Sequence, residues 1–309
     1  MWGTGPKHGC PWTLEVIPLV PDTVHYAHSH EWHRPHAEGA EIAITSRAGA
    51  NHILDGAATF GNTVGLAGQA LRWVAVDIAT GRFPFREAVS QTWFVIVVTT
   101  LPAILVAVPF GVIVSVQVGS LTQQVGATSI AGAAGGLGII QQGAPIVTAL
   151  LLGGAAGSAI ASDLGARTIR EEIAAMETLG LNPTRRVVAP RFVSVLITAP
   201  MLCMLIVFTG LLAGYAISVD VQGITPGSYV ASFASFASVT DIVVALCKSL
   251  VFGLVVVTIA CHRGLSTKGG PKGVATSVNA TVVLGVVACF VINVFITQLT
   301  TMFVPQTIG

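Results

Sequence analysis

Charged residues are scarce in this 309-residue chain, where Asp, Glu, Lys and Arg together make up 9% of the sequence. A soluble domain typically carries about 25%. Residues 88–162 and 273–309 contain no charged side chain, and residues 192–247 contain only Asp220 and Asp241. This pattern predicts an all-α polytopic membrane protein. The net charge of +1 excludes the strongly basic surface that nucleic-acid binding requires.

Motifs for catalysis, metals and nucleotides are also missing. The five cysteines are scattered without a C-x-x-C spacing, which argues against a structural zinc site or a disulfide framework. The apolar stretches contain neither paired carboxylates nor a Ser/His/Asp arrangement. The run STKGGPKGVATS lacks the G-x-x-x-x-G-K-[ST] spacing of a phosphate-binding loop. We therefore expect no catalytic residues, no bound metal and no cofactor on this chain.

Residues 1–50 form a polar segment with five prolines, which predicts a flexible tail. It lacks a basic region followed by an apolar core, so we expect membrane insertion to use an internal segment. Histidines cluster within it at positions 25, 28, 30, 33 and 36. A metal site is one interpretation of that cluster. A solvated tail is the simpler one, because no cysteine or rigid scaffold accompanies the histidines.

Residues 51–86 are expected to form an amphipathic helix at the membrane interface. Apolar residues recur there at alternating spacings of four and three, at Ile53, Ala57, Phe60, Val64, Ala67, Leu71, Val74 and Ile78. Polar residues flank this stripe, at Asp55, Asn62, Gln69, Arg72 and Asp77. The alternative is an ordinary amphipathic helix packed on protein.

Residues 87–309 are predicted to form a five-span domain. The spans are expected at about 89–118, 144–162, 192–219, 241–261 and 278–303. Residues 119–143 are interpreted as a short re-entrant or helical connection, and residues 220–240 as a polar loop. Small residues such as Gly153, Gly157, Gly210 and Gly214 predict close helix packing.

Lysine and arginine lie near only one end of each predicted span, which sets the orientation. Apart from Lys248 within the fourth predicted span, they occur before residue 87, within 167–191 and within 263–272, whereas residues 119–143 and 220–240 have none. The N-terminus and both basic segments are therefore expected in the cytoplasm, and the C-terminus outside it.

The longest charged segment, residues 163–182, is predicted to be a capped helix between the second and third spans. Ile169, Ile173, Met176 and Leu179 follow helical spacing. Thr168-x-x-Glu171 fits an N-terminal capping box, and Gly180 fits a C-terminal cap. Asp163 and Arg167 are spaced for an ion pair along the helix. A mere solvated connector would not need an apolar stripe, acidic residues and caps together.

The run GGAAGSAIASDLGARTIREEIAAMETLGLNPTRRVVAPR resembles the signature of MlaE/YrbE-type permeases, the membrane subunits of MCE-associated lipid-transport ABC systems. The later run CHRGLSTKGGPKGVATSVNATVV is similar to the actinobacterial YrbE A-type subunit. The resemblance covers about residues 50–305 and excludes the N-terminal tail.

The resemblance implies a coupling helix that docks on a cytoplasmic ABC ATPase, which would hold ATP and Mg²⁺. Matching this chain residue by residue, it assigns docking to Arg167, Arg170, Glu171, Glu172, Glu177, Leu179 and Gly180. It further implies a second YrbE-type permease in a heterodimer, extracytoplasmic MCE proteins, and location in the inner (cytoplasmic) membrane. The substrate would be a fatty acid, sterol or phospholipid, and the direction uptake.

Apolar side chains suited to acyl chains or rings are candidates for a substrate cavity: Phe94, Leu105, Phe110, Leu152, Phe208 and Tyr215. Gln142 is added because members of the family carry a polar or acidic residue ahead of a Gly-Pro pair, whereas this chain reads Gln142-Gly-Ala-Pro145. An intramembrane polar side chain points to function. Hydrogen bonding between helices explains it equally well.

Two other functions remain open at this point. An ion-coupled secondary transporter would need ionisable groups inside the membrane, and the spans offer only Asp241 and Lys248. A membrane scaffold without a lipid path would assemble other subunits but would not respond to lipid.

Overall fold

The computed structural model describes residues 61, 63, 65–77, 84–127 and 130–303. The predictions for residues 1–50, including the histidine cluster, lie outside these residues, as does the start of the predicted amphipathic helix. The described residues form helices and short turns, with no strand among them.

Eight helices are defined within the described ranges. They are α1 (residues 65–77), α2 (Phe85–Gln124), α3 (Ala131–Ile169), α4 (Glu172–Thr178), α5 (Thr184–Asp220), α6 (Pro226–Phe236), α7 (Val239–Leu265) and α8 (Pro271–Phe303). Five of them, namely α2, α3, α5, α7 and α8, are long and apolar enough to cross a membrane. The predicted all-α architecture with five spans is confirmed.

The spans are longer than the sequence indicated: the helical alternative for residues 119–143 is confirmed, whereas the prediction of a polar loop at residues 220–240 is wrong. Residues 119–143 mostly belong to α2 and α3, and residues 220–240 contain α6. The glycines that made residues 119–143 look like a loop instead allow close packing. A Cβ on Gly132 would press against the Tyr229 backbone, and one on Gly136 would collide with the Phe233 ring. Helix α6 therefore packs closely on the start of α3.

The five long helices alternate in direction, so the bundle has two chemically different ends. One end carries residues 163–191 and 262–272, and we call it the charged end. The other carries residues 121–127, 221–238 and the end of α8 at Phe303, and we call it the non-basic end, since the charged residues that border these loops are Asp220 and Asp241. Within residues 121–127 and 221–238 there is no Lys, Arg, Asp or Glu.

Glycine brings α2 and α5 together along their length. A Cβ on Gly111 would collide with the carbonyl oxygen of Gly210, and one on Gly214 with the Ser115 hydroxyl. On the other side of the bundle, Gly153 and Gly157 of α3 face Val286 and Thr281 of α8. The predicted role of these small residues in packing is confirmed.

Helix α1 packs on the bundle with one side. Leu66, Ala67, Ala70 and Val74 contact the main hydrophobic core. Leu71, which the sequence placed on the apolar stripe, is 40% exposed, while Asp77, assigned to the polar flank, is buried. The inward side is therefore rotated from the predicted one, because Asp77 has a partner on the bundle. The sequence left open that this helix packs on protein instead of lying at the membrane interface, and its contacts with the core agree with that alternative.

Candidate functional site

The charged segment between α3 and α5 begins with an abrupt turn at Glu171. Glu171 is the one non-glycine residue of the described chain with a positive φ, at 58°. This left-handed backbone ends α3 and redirects the chain into α4. The sequence predicted one continuous helix over residues 163–182, and that prediction is wrong.

The predicted capping box at Thr168 and Glu171 is also absent. Helix α3 runs on to Ile169, so Thr168 lies inside a helix rather than before one. Its hydroxyl lies 2.9 Å from the Leu164 carbonyl oxygen and 3.2 Å from that of Gly264 in α7. Bonding to the carbonyl four residues earlier is the usual choice of a threonine within a helix. The second contact ties the end of α3 to α7.

Helix α4 ends as the sequence predicted, with Gly180 as its C-terminal cap. Gly180 has a φ of 73°, and its N–H donates to the Glu177 carbonyl at 3.0 Å. The next N–H, of Leu181, donates to the Met176 carbonyl at 2.9 Å. These two bonds form a Schellman motif. The Asn182 side chain then accepts from the Thr184 N–H at 3.0 Å, so a short, hydrogen-bonded link leads into α5.

Of the seven residues predicted to dock on an ATPase, Arg167 lies in the last turn of α3 and the other six lie on this segment, at the charged end of the bundle. Leu179 is 74% exposed although it is apolar. Glu171 and Glu177 are also exposed, and Arg170 forms an ion pair of 3.0 Å with Glu172. On the inner side, Ile173 and Met176 pack against the hydrophobic core. The segment thus combines a seated inner side with an exposed outer side that is acidic and apolar.

A cluster of ion pairs lies between the two long helices that flank this segment. Asp163 of α3 pairs with Arg191 of α5 and, as predicted, with Arg167 one turn further along α3 at 3.3 Å. Arg191 is almost fully buried. A buried guanidinium requires a charged partner. The two helices that flank α4 are therefore held together where the segment begins and ends.

A second polar cluster lies inside the bundle, around Lys248 of α7. Lys248 is only 2% exposed, and its ammonium donates to the Gln141 carbonyl at 3.2 Å and to the Thr297 hydroxyl at 3.0 Å. Among the described residues, no carboxylate oxygen lies within 4.0 Å of it. The Gln141 side chain donates to Asp241 at 2.9 Å. Gln141 therefore bridges the cation and the anion of α7.

Pro145 explains why the Gln141 carbonyl is available. In a regular helix this carbonyl would accept from the N–H of residue 145, which proline lacks. Helix α3 widens into a π-helical turn at Ile139–Gly143, just before the proline. The Lys248 ammonium supplies a donor from a neighbouring helix. The sequence signal for this contact was a proline four residues after Gln141 and a lone lysine in an apolar run.

The cluster continues from Thr297 through Gln142 to Asn293. The Gln142 side chain donates to the Thr297 hydroxyl at 3.3 Å and accepts from Asn293 at 3.4 Å. The Asn293 side-chain oxygen is buried without a hydrogen-bond partner in the structure. Helices α3, α7 and α8 are thus joined by polar contacts. Sequence analysis selected Gln142 but missed Lys248 and Thr297 as its neighbours.

The other candidate cavity residues do not share one surface of the chain. Phe94, Leu105 and Phe208 are exposed, at 46%, 65% and 68%. Leu152 is fully buried, and Phe110 and Tyr215 are half-buried. Tyr215 packs edge-to-face on Tyr229, with ring centroids 5.4 Å apart. The exposed residues belong to α2 and α5, the two helices held together by glycine.

No group of three or more His, Cys, Asp or Glu side chains that could hold a metal ion occurs within residues 61–303 as far as the structure describes them.

Five membrane-length helices, with an exposed helical segment between the second and third of them, are the architecture of a multi-pass membrane protein. Residues 88–299 match the family described as Permease MlaE. The chain belongs to the MlaE permease family.

Named relatives extend across bacteria and plants. A probable ABC transporter permease protein of Synechocystis is 32% identical over 73% of this chain and 86% of its own length. The intermembrane phospholipid transport system permease protein MlaE of Haemophilus influenzae is 32% identical over 48% of this chain and 57% of its own. The chloroplastic protein TRIGALACTOSYLDIACYLGLYCEROL 1 of Arabidopsis thaliana is 31% identical over 48% and 42%, respectively.

Proposed function

We propose that this chain is the membrane-spanning subunit of an ABC transporter that moves lipids across the inner membrane, driven by a separate ATPase. The observation that carries the proposal is the segment 170–181, which is seated on the bundle by Ile173 and Met176 and presents Glu171, Glu177 and Leu179 outward. Family membership and the phospholipid transport named for the Haemophilus relative support it. The lipid would be a fatty acid, sterol or phospholipid, and the direction uptake.

In this proposal the charged end faces the cytoplasm, in keeping with the placement of Lys and Arg. The exposed side of α4 docks in a groove of the ATPase, where Leu179 supplies apolar contact and the glutamates set the register. The N-terminus is then cytoplasmic and the C-terminus is on the opposite side of the membrane. ATP and Mg²⁺ are held by the partner.

A second YrbE-type permease would complete the transporter as a heterodimer, and extracytoplasmic MCE proteins would exchange lipid with it. The exposed apolar residues Phe94, Leu105 and Phe208 lie on α2 and α5, where a second chain or a lipid can contact them. With Phe110, Gln142, Leu152 and Tyr215, they remain our candidates for the substrate cavity.

The test is to purify the chain from its native membrane in mild detergent and to identify the retained proteins and lipids by mass spectrometry. The proposal expects a soluble ATPase, a related permease and MCE proteins. The double variant Glu171→Lys/Glu172→Lys is expected to insert normally but to lose the ATPase. The matched control is Glu87→Lys. It reverses the charge of an exposed acidic residue in the first turn of α2, at the charged end of the bundle.

If the native complex contains no ATPase while other complexes survive the same purification, the chain is an autonomous transporter or a scaffold. If the double variant retains the ATPase and transports at the normal rate, docking does not use α4. A scaffold would retain the partners but show no stimulation of ATP hydrolysis by lipid.

A further inference from the structure

A bidentate ion pair joins α1 to the first turn of α5. Arg185 donates through Nε to one oxygen of the Asp77 carboxylate at 2.9 Å and through Nη2 to the other at 2.6 Å. The guanidinium also lies 5.2 Å from the centre of the Trp73 ring, one turn earlier on the same side of α1. This fork and stacking geometry is specific to arginine. The contact is therefore directional rather than a loose attraction between surface charges.

The two partners of the pair differ in exposure, so separating them raises the free energy. The Asp77 side chain is 2% exposed, whereas that of Arg185 is 41% exposed. If Arg185 moved away alone, a buried carboxylate would lose a charged partner. Helix α1 itself is seated on the core through Leu66, Ala70 and Val74. The end of α1 is thus fixed to whatever position the start of α5 takes.

The start of α5 is in turn fixed to residues 170–183, which we call the coupling segment. Arg185 lies seven residues after the end of α4 at Thr178. The Schellman motif at Gly180 and the Asn182 side-chain contact fill most of that distance with hydrogen-bonded turns. Beyond Arg185, Arg191 ties α5 to Asp163 of α3. A displacement of α4 is therefore passed to α5 and, through Arg185, to α1.

We infer that Asp77, Arg185 and Trp73 are positioning residues for energy coupling, which make α1 move as one body with the coupling segment 170–183. The inference rests on the proposed function, because it assumes that an ATPase acts on α4. The inference adds a second effect of the ATPase acting on α4. That second effect is the movement of α1 itself, which Arg185 ties to the start of α5.

The experiment compares variants in the native complex, in membrane vesicles. Two quantities are measured: the rate of ATP hydrolysis, and the movement of an NBD-labelled fatty acid and of NBD-labelled phosphatidylethanolamine. Asp77→Asn and Arg185→Lys are expected to retain the ATPase but to lower the ratio of lipid moved to ATP hydrolysed by roughly fivefold or more, the lower end of typical coupling between sites. Trp73→Leu should lower the ratio, and Trp73→Phe, which keeps an aromatic face, should restore it.

Matched controls are Arg186→Lys and Arg72→Lys. Both arginines are exposed. Arg186 directly follows Arg185 in the sequence, and Arg72 directly precedes Trp73. They should leave the ratio unchanged. A merely structural role for Asp77 would reduce the amount of complex in the membrane but not this ratio.

A second measurement reports the movement directly. Spin labels on Ala75→Cys and Thr178→Cys, both exposed positions, should give one distance that is the same with ADP and with a non-hydrolysable ATP analogue. Asp77→Asn should broaden that distance distribution. A wild-type distance that changes with the nucleotide would overturn the inference, as would an Asp77→Asn complex with a normal transport ratio. Absence of any ATPase from the wild-type complex would instead defeat the proposed function, and the inference with it.

Discussion

The buried ammonium of Lys248 in α7 donates a 3.0 Å hydrogen bond to the Thr297 hydroxyl in α8. The same hydroxyl lies 3.3 Å from the Gln142 side-chain nitrogen of α3. One hydroxyl thus connects three membrane-length helices. Its removal is a direct test of what the polar cluster contributes.

We expect Thr297→Val to lower the free energy of unfolding by about 1–3 kcal/mol, because it leaves buried polar groups with one partner fewer at nearly constant volume. The change is measured as reduced thermal stability of the purified protein in detergent. Thr300→Val is the control, since the Thr300 hydroxyl bonds only to backbone carbonyls of its own helix. Equal losses in the two variants would show that the cluster contributes nothing specific.

The Asp163–Arg191 pair should respond asymmetrically to the loss of either partner. Asp163 is 38% exposed and keeps Arg167, whereas Arg191 is 2% exposed. Asp163→Ala leaves a buried charge without a carboxylate partner, and we expect it to cost about 3–5 kcal/mol. Arg191→Met removes the buried charge and should cost clearly less. Chemical or thermal denaturation in detergent gives the order, and a greater loss for Arg191→Met would contradict this account.

The backbone and the charge of Glu171 can be separated by two substitutions. Glu171→Gly removes the carboxylate and suits the left-handed φ of 58°, so it should raise stability by about 1 kcal/mol. Glu171→Gln removes the charge but keeps the strain, so its stability should match that of the wild type. If the carboxylate docks on the ATPase, both variants should weaken ATPase binding equally. A defect in Glu171→Gly alone would assign the role to backbone rigidity.

Close packing of α2 on α5 predicts that Gly210 does not tolerate a large side chain. Gly210→Leu should destabilise the protein by roughly 1–3 kcal/mol, because its side chain would enter the space filled by Ile139 and by the α2 backbone at Ala107. Gly154→Leu is the matched control, since a Cβ at Gly154 meets no atom within 4 Å. The comparison uses the yield of monodisperse protein and its midpoint of thermal unfolding. Equal behaviour would exclude glycine packing as the reason for the close approach.

Hydropathy and charge were sufficient to predict the number, order and alternation of the spans, because the cost of exposing polar groups to lipid acts on whole segments. The same signals misplaced the boundaries. Gly132 and Gly136 looked like loop residues, yet they lie in helix α3, where Tyr229 and Phe233 of α6 leave no room for a side chain. A contact between distant segments cannot be read from local glycine content.

The coupling segment was predicted more accurately at its end than at its start. Gly180 forms a cap from its own local hydrogen bonds, which the sequence encodes. The break at Glu171 has no comparable signal, because glutamate is not a residue that favours a positive φ. The inward turn of Asp77 on α1 was equally hidden, since its partner Arg185 is distant in the sequence.

Pro145 and Lys248 are complementary across two helices: one withholds a backbone proton, and the other provides one from its side chain. They should therefore be exchanged together in evolution. A chain that lost the proline would regain an N–H to compete with lysine for the Gln141 carbonyl, and a chain that lost the lysine would remove a donor from that carbonyl. Variation at either position alone should be rarer among close homologues than joint replacement.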